Sequence, residues 1–154
     1  MGTRDETLQK MFSNMEATKR LMGSHFQYAL RELGISRAQA MLLFTIDAQQ
    51  PISFKQVAEH VMLTPGAVTQ GINSLDALGY ITRQPDEHDR RIIYLGLTPG
   101  GKTFVKRLHT IHHKMVADIM TEMSDQEVAI WLSVQEKMLH YLKTHAPKEK
   151  EEDK

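Results

Sequence analysis

SFKQVAEHVMLTPGAVTQGINSLDALGYITRQPDEHDRRIIYLGLT, residues 53–98, decides how this chain folds. Ser53 followed by Gln56 forms a capping box, in which hydroxyl and amide satisfy the free N–H groups of a helix start. Phe54, Val57, Ala58 and Val61 give that helix its apolar face, and Ala58 is small enough for a close helix crossing. After a short VML turn, Thr64 caps a second helix whose first turn holds Pro65, where the missing N–H costs nothing. Val68, Ile72, Leu75 and Leu78 form its apolar stripe, and Gly79 ends it. Residues 80–83 and 91–97 then read as two short strands around a loop with Pro85, Asp86 and Asp89. A helix able to lie in a duplex groove, followed by an arginine-tipped hairpin, is the layout of a winged helix-turn-helix. DNA binding is therefore the leading function.

Working outward, Leu8, Met11, Phe12, Met15, Met22, Phe26, Ala29, Leu30 and Leu33 recur at helical spacing, with Gly34 as the stop. Ser36 and Gln39 make a second capping box for a helix that turns Ala38, Met41, Leu42, Thr45 and Ile46 inward and ends at Gln50–Pro51. Beyond the hairpin, Thr98–Pro99 opens a long helix with Phe104, Val105, Leu108, Ile111, Met115, Val116, Ile119 and Met123 on one side. Ser124 and Glu127 cap a last helix lined by Val128, Trp131, Val134, Met138 and Leu142. Most of the 10 Met fall on these stripes and read as flexible core filler. The charged tail at 147–154 has no apolar residue and is expected to be disordered.

A length of 154 residues favours one domain with a real core. Net charge is +0, so any surface for nucleic acid has to be local. Without Cys, disulfides, thiolate nucleophiles and thiol redox sensors are excluded. The N-terminus has early acids and no apolar run, unlike a signal peptide, and Glu6 stands where a myristoylation site wants Ser or Thr. No apolar run approaches the roughly 18 residues of a membrane span. The expectation is a cytoplasmic protein with no membrane partner and no cofactor.

On the second helix of the motif, Gln70 and Asn73 are amides able to bond an adenine edge bidentately, and Thr69 can bond a base or touch a thymine methyl. The helix start at Thr64 suits a phosphate. Arg90 and Arg91, with Arg83 at the base of the hairpin, suit the negative potential of a minor groove. Asp89 is placed to orient Arg91 by a salt bridge. The outer helices carry apolar stripes too extensive for the small winged motif to cover, and a second copy of the chain is the economical partner. A two-fold homodimer would set two reading helices roughly 34 Å apart, matching a palindromic operator.

The run LTPGAVTQGINSLDALGYITRQPDEHDRRIIYLGLTPGGK, residues 63–102, resembles the MarR family of winged helix-turn-helix regulators, and the resemblance extends over nearly the whole chain. The family's Asp-x-Arg wing is matched by Asp89-Arg90-Arg91, and its closing Leu-Thr and Gly by Leu97-Thr98 and Gly101. The resemblance implies a mainly α fold: a winged lobe at 36–98 with a two-stranded β-wing, and dimerisation helices at 5–34 and 99–145, in one domain over 1–146. It implies a homodimeric DNA-binding repressor of a palindromic double-stranded operator, relieved by a small aromatic or phenolic effector. Arg91 takes the place of the minor-groove arginine and Asp89 of its orienting partner. Thr64, Thr69, Gln70 and Asn73 match major-groove contacts, and Ser53, Lys55, Gly66, Arg83 and Arg90 complete the DNA-binding set. His25, Tyr28 and Phe44 are the candidate effector-lining residues by the same analogy. The span 64–78 has no Lys or Arg, and Gly71 replaces a larger residue, weakening the helix by roughly 1 kcal/mol relative to Ala. A larger share of the binding energy is accordingly expected from Arg90, Arg91, Arg83 and Lys55.

Two other signals point elsewhere. Residues 96–103, GLTPGGKT, match the phosphate-cradling pattern G-x-x-x-x-G-K-[ST], which would make the chain a nucleotide hydrolase. That enzyme needs a parallel sheet and a downstream acid for Mg²⁺, whereas nearly everything after Thr103 reads as helix. His109 and His113 share a helix face, as two ligands of one metal would, and His112 lies between them. Zinc-sensing relatives of the family add Glu and His from the second helix, where this chain has Ala40 and Met41. A metal-responsive regulator is thus the alternative, with no metal site expected. No Ser/His/Asp or paired-carboxylate arrangement stands out, and the reading is of a non-enzyme.

Overall fold

The computed structural model describes residues 3–145, so the tail expected to be disordered lies outside the described residues. The elements run α1 (Arg4–Glu32), α2 (Arg37–Gln49), β1 (Ile52–Ser53), α3 (Phe54–His60), α4 (Pro65–Ala77), β2 (Ile81–Pro85), β3 (Ile93–Leu97), α5 (Pro99–Met120) and α6 (Asp125–Thr144). The architecture is mainly helical with one small antiparallel sheet. Local chemistry sets most boundaries. Ser36, Ser53 and Ser124 each close a capping box with the Gln or Glu three residues on, and Thr3 with Glu6 makes a fourth at the start of α1. Gly34 and Gly79 take φ of 74° and 73°, the left-handed turn that stops α1 and α4.

The sheet has three strands in the order β1-β3-β2 rather than the two of the hairpin alone. Ile52 faces Leu95 and Ser53 faces Tyr94, while Ile81 to Pro85 run antiparallel to Leu97 to Ile93. β1 escaped the sequence reading because two residues carry no alternation. Pro85, expected in the loop, closes β2, an edge strand where its missing N–H breaks no ladder. Arg91, expected in a strand, lies in the turn before β3.

The chain forms two units that divide inside α5, between His112 and His113. In the first, Leu42, Leu43 and Ile46 of α2 pack with Ile72 and Leu75 of α4, Val57 of α3, Leu95 of β3 and Leu108 of α5. Burial of such side chains contributes about 1.5–3 kcal/mol each and fixes α4 with one face inward. Leu78, expected on that inward stripe, is instead 48% exposed, because it sits at the C-cap where the chain turns into Gly79. In the second unit, α6 buries none of its residues. The methionines depart from expectation as well: none of the described ones is buried. Most lie half-buried or exposed on helix faces rather than in the core, and Met62 stands out in the turn before α4.

Candidate nucleic-acid interface

Packing leaves one side of α4 outward. Val68, Ile72 and Leu75 point into the core, while Thr69, Gln70 and Asn73 are exposed, with Thr64 and Gly66 at the helix start. Thr64 Oγ1 accepts from the Ala67 N–H at 3.3 Å, and Thr69 donates its hydroxyl back to the Pro65 carbonyl at 3.0 Å. Gly71, read from sequence only as a weak point, proves to be a contact. A Cβ there would strike Cδ1 of Leu42, a side chain with no exposure. Ser74, next to Asn73, is half-buried and accepts from the Gln39 amide of α2 at 2.7 Å. The glycine and this hydrogen bond seat α4 on α2, so its outer face is held in a fixed attitude.

α3 lies before it. Ser53 is occupied in its capping box, and the exposed Lys55 lies 3.9 Å from Glu59 one turn on. A pair that open to water contributes little, so the ammonium remains available to other anions.

The wing tip is a built turn. Asp86 Oδ1 accepts from the N–H groups of His88 and Asp89, each at 2.8 Å. Asp89 Oδ1 accepts from the Arg91 N–H at 3.0 Å, and Ile92 exchanges backbone hydrogen bonds with Asp86 and Asp89 at 2.9 Å. The Asp89 N–H, then that of His88, holds the Asp86 carboxyl below the usual aspartate range, with slight desolvation opposing. Asp89 therefore meets Arg91 at its backbone N–H, where a side-chain salt bridge was expected, because the turn brings that N–H onto the carboxylate. The side chains of Arg90 and Arg91 are exposed at the tip.

Arg83 takes a place the sequence did not suggest. Its Nε lies 2.9 Å from Asp76 Oδ2, and its Nη2 donates to Asn73 Oδ1 at 2.6 Å. The guanidinium thus faces α4, tying β2 to the helix, rather than standing with Arg90 and Arg91. Asp76 was missed altogether, although its position three residues after Asn73 on the same helix face is visible in the sequence.

The remaining candidates separate. His25 and Tyr28 are exposed on α1, whereas Phe44 is half-buried with its ring 4.9 Å from that of His109. Surface cavities of 400 Å³ beside Leu30 and Arg37 and of 480 Å³ beside Tyr80 and Arg107 include none of the three. His112 meets Phe26 edge-on at 5.8 Å. Among the described residues no three or more His, Cys, Asp or Glu gather as metal ligands would. No helix there is long and apolar enough to cross a membrane.

The phosphate-loop look-alike is a joint of the fold. Thr98 donates its hydroxyl to the Gly79 carbonyl at 2.7 Å, accepts from the Gly101 N–H at 2.9 Å, and donates its own N–H to the Tyr80 carbonyl at 3.1 Å. A Cβ on Gly101 would overlap that same carbonyl. The motif's Gly101 is required by close backbone approach, and the strand before it belongs to an antiparallel sheet.

Residues 33–92 match the model of the MarR family. The HTH-type transcriptional regulator SarZ of Staphylococcus saprophyticus is 23% identical over 147 residues, covering 94% of this chain and 97% of that protein. Among solved structures, the YusO protein from Bacillus subtilis superimposes with a TM-score of 0.77 at 19% identity, over 90% of this chain and 99% of that one. A point mutant of S. aureus MepR, bound to oligodeoxyribonucleotide, gives 0.63 at 23% identity, over 92% and 99%. The winged architecture, the Asp89-Arg90-Arg91 tip and the family match over the reading head converge on the MarR family of winged helix-turn-helix transcriptional regulators, which are not enzymes.

Proposed function

We propose that the protein acts as a homodimeric repressor, laying α4 in the major groove of each half of a palindromic operator and the wing in the adjoining minor groove. The observation that carries this reading is the outward face of α4: Thr69, Gln70 and Asn73 stand exposed and uncharged beside a turn that presents Arg90 and Arg91. Amides and hydroxyls read base edges, and guanidinium groups enter a narrow minor groove. Thr64, Gly66, Ser53 and Lys55 then border the phosphates. The oligonucleotide bound to the MepR mutant supports the same use of this fold. Pairing of two copies is supported by α6, which buries nothing while exposing Trp131, Leu132, Leu139 and Leu142. Repression, its relief by a small aromatic or phenolic effector and action in the cytoplasm follow the family resemblance. For the effector, His25, Tyr28 and Phe44 remain the analogous positions.

The test is a fluorescence-anisotropy titration of the full chain against duplex DNA from upstream of its own gene, over a salt series. The expected result is tight binding to one two-fold site and affinity lower by about a thousandfold or more for a scrambled duplex. Equal affinity for both would overturn the reading.

A further inference from the structure

Arg83 is exposed to the same side as the reading face of α4, and its bond to Asn73 restricts what that amide can say to a base. A guanidinium has donors only, so the atom of Asn73 that faces it must be the oxygen, however amide oxygen and nitrogen are assigned. Asp76 holds Nε of the same guanidinium at 2.9 Å, so Arg83 is braced rather than swinging. With its oxygen turned to Arg83, the exposed Asn73 keeps its –NH₂ group for a partner outside the chain. The bidentate adenine contact needs both amide atoms, one accepting from N6 and one donating to N7, and is disfavoured because Arg83 takes one of the oxygen's two lone pairs and fixes which way it faces. A donor-only group fits an edge that only accepts: guanine, with N7 and O6, or thymine, with O4. Cytosine sets an amino donor against it, and adenine offers only N7 beside an amino donor that the turned oxygen is poorly placed to accept.

We infer that the Asp76–Arg83 pair is a specificity device, which locks Asn73 as a hydrogen-bond donor and selects guanine or thymine, against adenine and cytosine, at the base that α4 brings to it. Arg83 and Asp76 are positioning residues, acting on the base through Asn73. The inference rests on the proposed seating of α4 in the major groove.

The test is selection of bound duplexes from a randomised pool with the full-length protein and with Asn73→Ala, Asn73→Asp and Arg83→Met. Asn73→Ala identifies the column of the half-site that the residue reads, as the one whose preference it erases. In the wild type that column should hold guanine or thymine, favoured over adenine by about fivefold or more. Asn73→Asp keeps the bond to Arg83 and removes the outward donor, so the column should move toward cytosine, whose N4 a carboxylate accepts. Arg83→Met frees the amide to rotate, and adenine should enter the column. Replacing guanine there with 7-deazaguanine should weaken the wild type and leave Asn73→Ala unaffected. Adenine in the wild-type column, or a column that Asp and Met leave unchanged, would overturn the inference while leaving the major-groove reading standing. A wild type that enriches no sequence would overturn both.

Discussion

A methyl group added to Gly101 would fall on the carbonyl of Tyr80, and one added to Gly71 would fall on Leu42. The two obstacles differ in how far they can yield. Backbone at Tyr80 is fixed by the Thr98 N–H and cannot retreat, so Gly101→Ala should cost about 3 kcal/mol, the upper part of the range for overpacking. Gly71→Ala gains roughly 1 kcal/mol of helix propensity and loses about 2 kcal/mol against a buried leucine, a net loss near 1 kcal/mol. Urea titrations would rank them; a Gly101→Ala protein as stable as the parent would contradict the first. At the wing, Arg91→Ala should weaken operator binding by more than about tenfold, or about 1.4 kcal/mol, in a gel-shift titration. An unchanged affinity would show that the tip does not enter the groove. Gln70 and Asn73 were legible in the sequence as amides on the outward side of a cap-to-glycine helix, and the wing arginines as charges in a turn between two strands. The bond from Arg83 to Asn73 was not. It joins a strand to a helix ten positions earlier, and no period or cap links two such places.

The wing turn depends on a charge. Because Asp86 accepts two backbone N–H groups, its folded carboxyl titrates below the usual aspartate value of about 3.9. A lowered folded pKa means that its contribution is fully present above the unfolded value and fades as pH falls through the folded one. The carboxyl resonance of Asp86 in an acid titration should accordingly show a midpoint under the ordinary value. Protection of the His88 and Asp89 amides should disappear over the same window, and a midpoint at or above the ordinary value would exclude this turn. Glu127, whose carboxylate accepts the Ser124 N–H and hydroxyl, is lowered for the same kind of reason at the start of α6. Helices were legible because caps and glycine stops act within three or four residues. β1 was not, because its two residues exist as a strand only through Leu95 and Tyr94, more than forty positions away. The approach of Asp89 to Arg91 was legible in their spacing, but not the atom it meets, because spacing does not distinguish a side chain from its backbone.

Two copies sealing their apolar helices against each other would change what a hydrodynamic measurement sees. Light scattering after gel filtration should give twice the mass of one chain at micromolar concentration. The apparent melting temperature should rise with protein concentration, as it does for any folded assembly that dissociates on unfolding. Trp131, the single Trp, lies 37% exposed on α6, and its emission should shift to longer wavelength as the pair is diluted apart. A monomer at all concentrations would refute the pairing. Helical periodicity marked which faces are apolar but not what covers them, so methionines on those stripes were read as core and lie outside it. The root of α5 adds a mechanical consequence. Thr98 grips both ends of the Gly79–Tyr80 corner while Gly101 sits flush on the same corner, leaving no slack at that fulcrum. A tilt imposed on the first turns of α5 is therefore handed to the Gly79–Tyr80 corner, from which β2 leads out to the arginine tip.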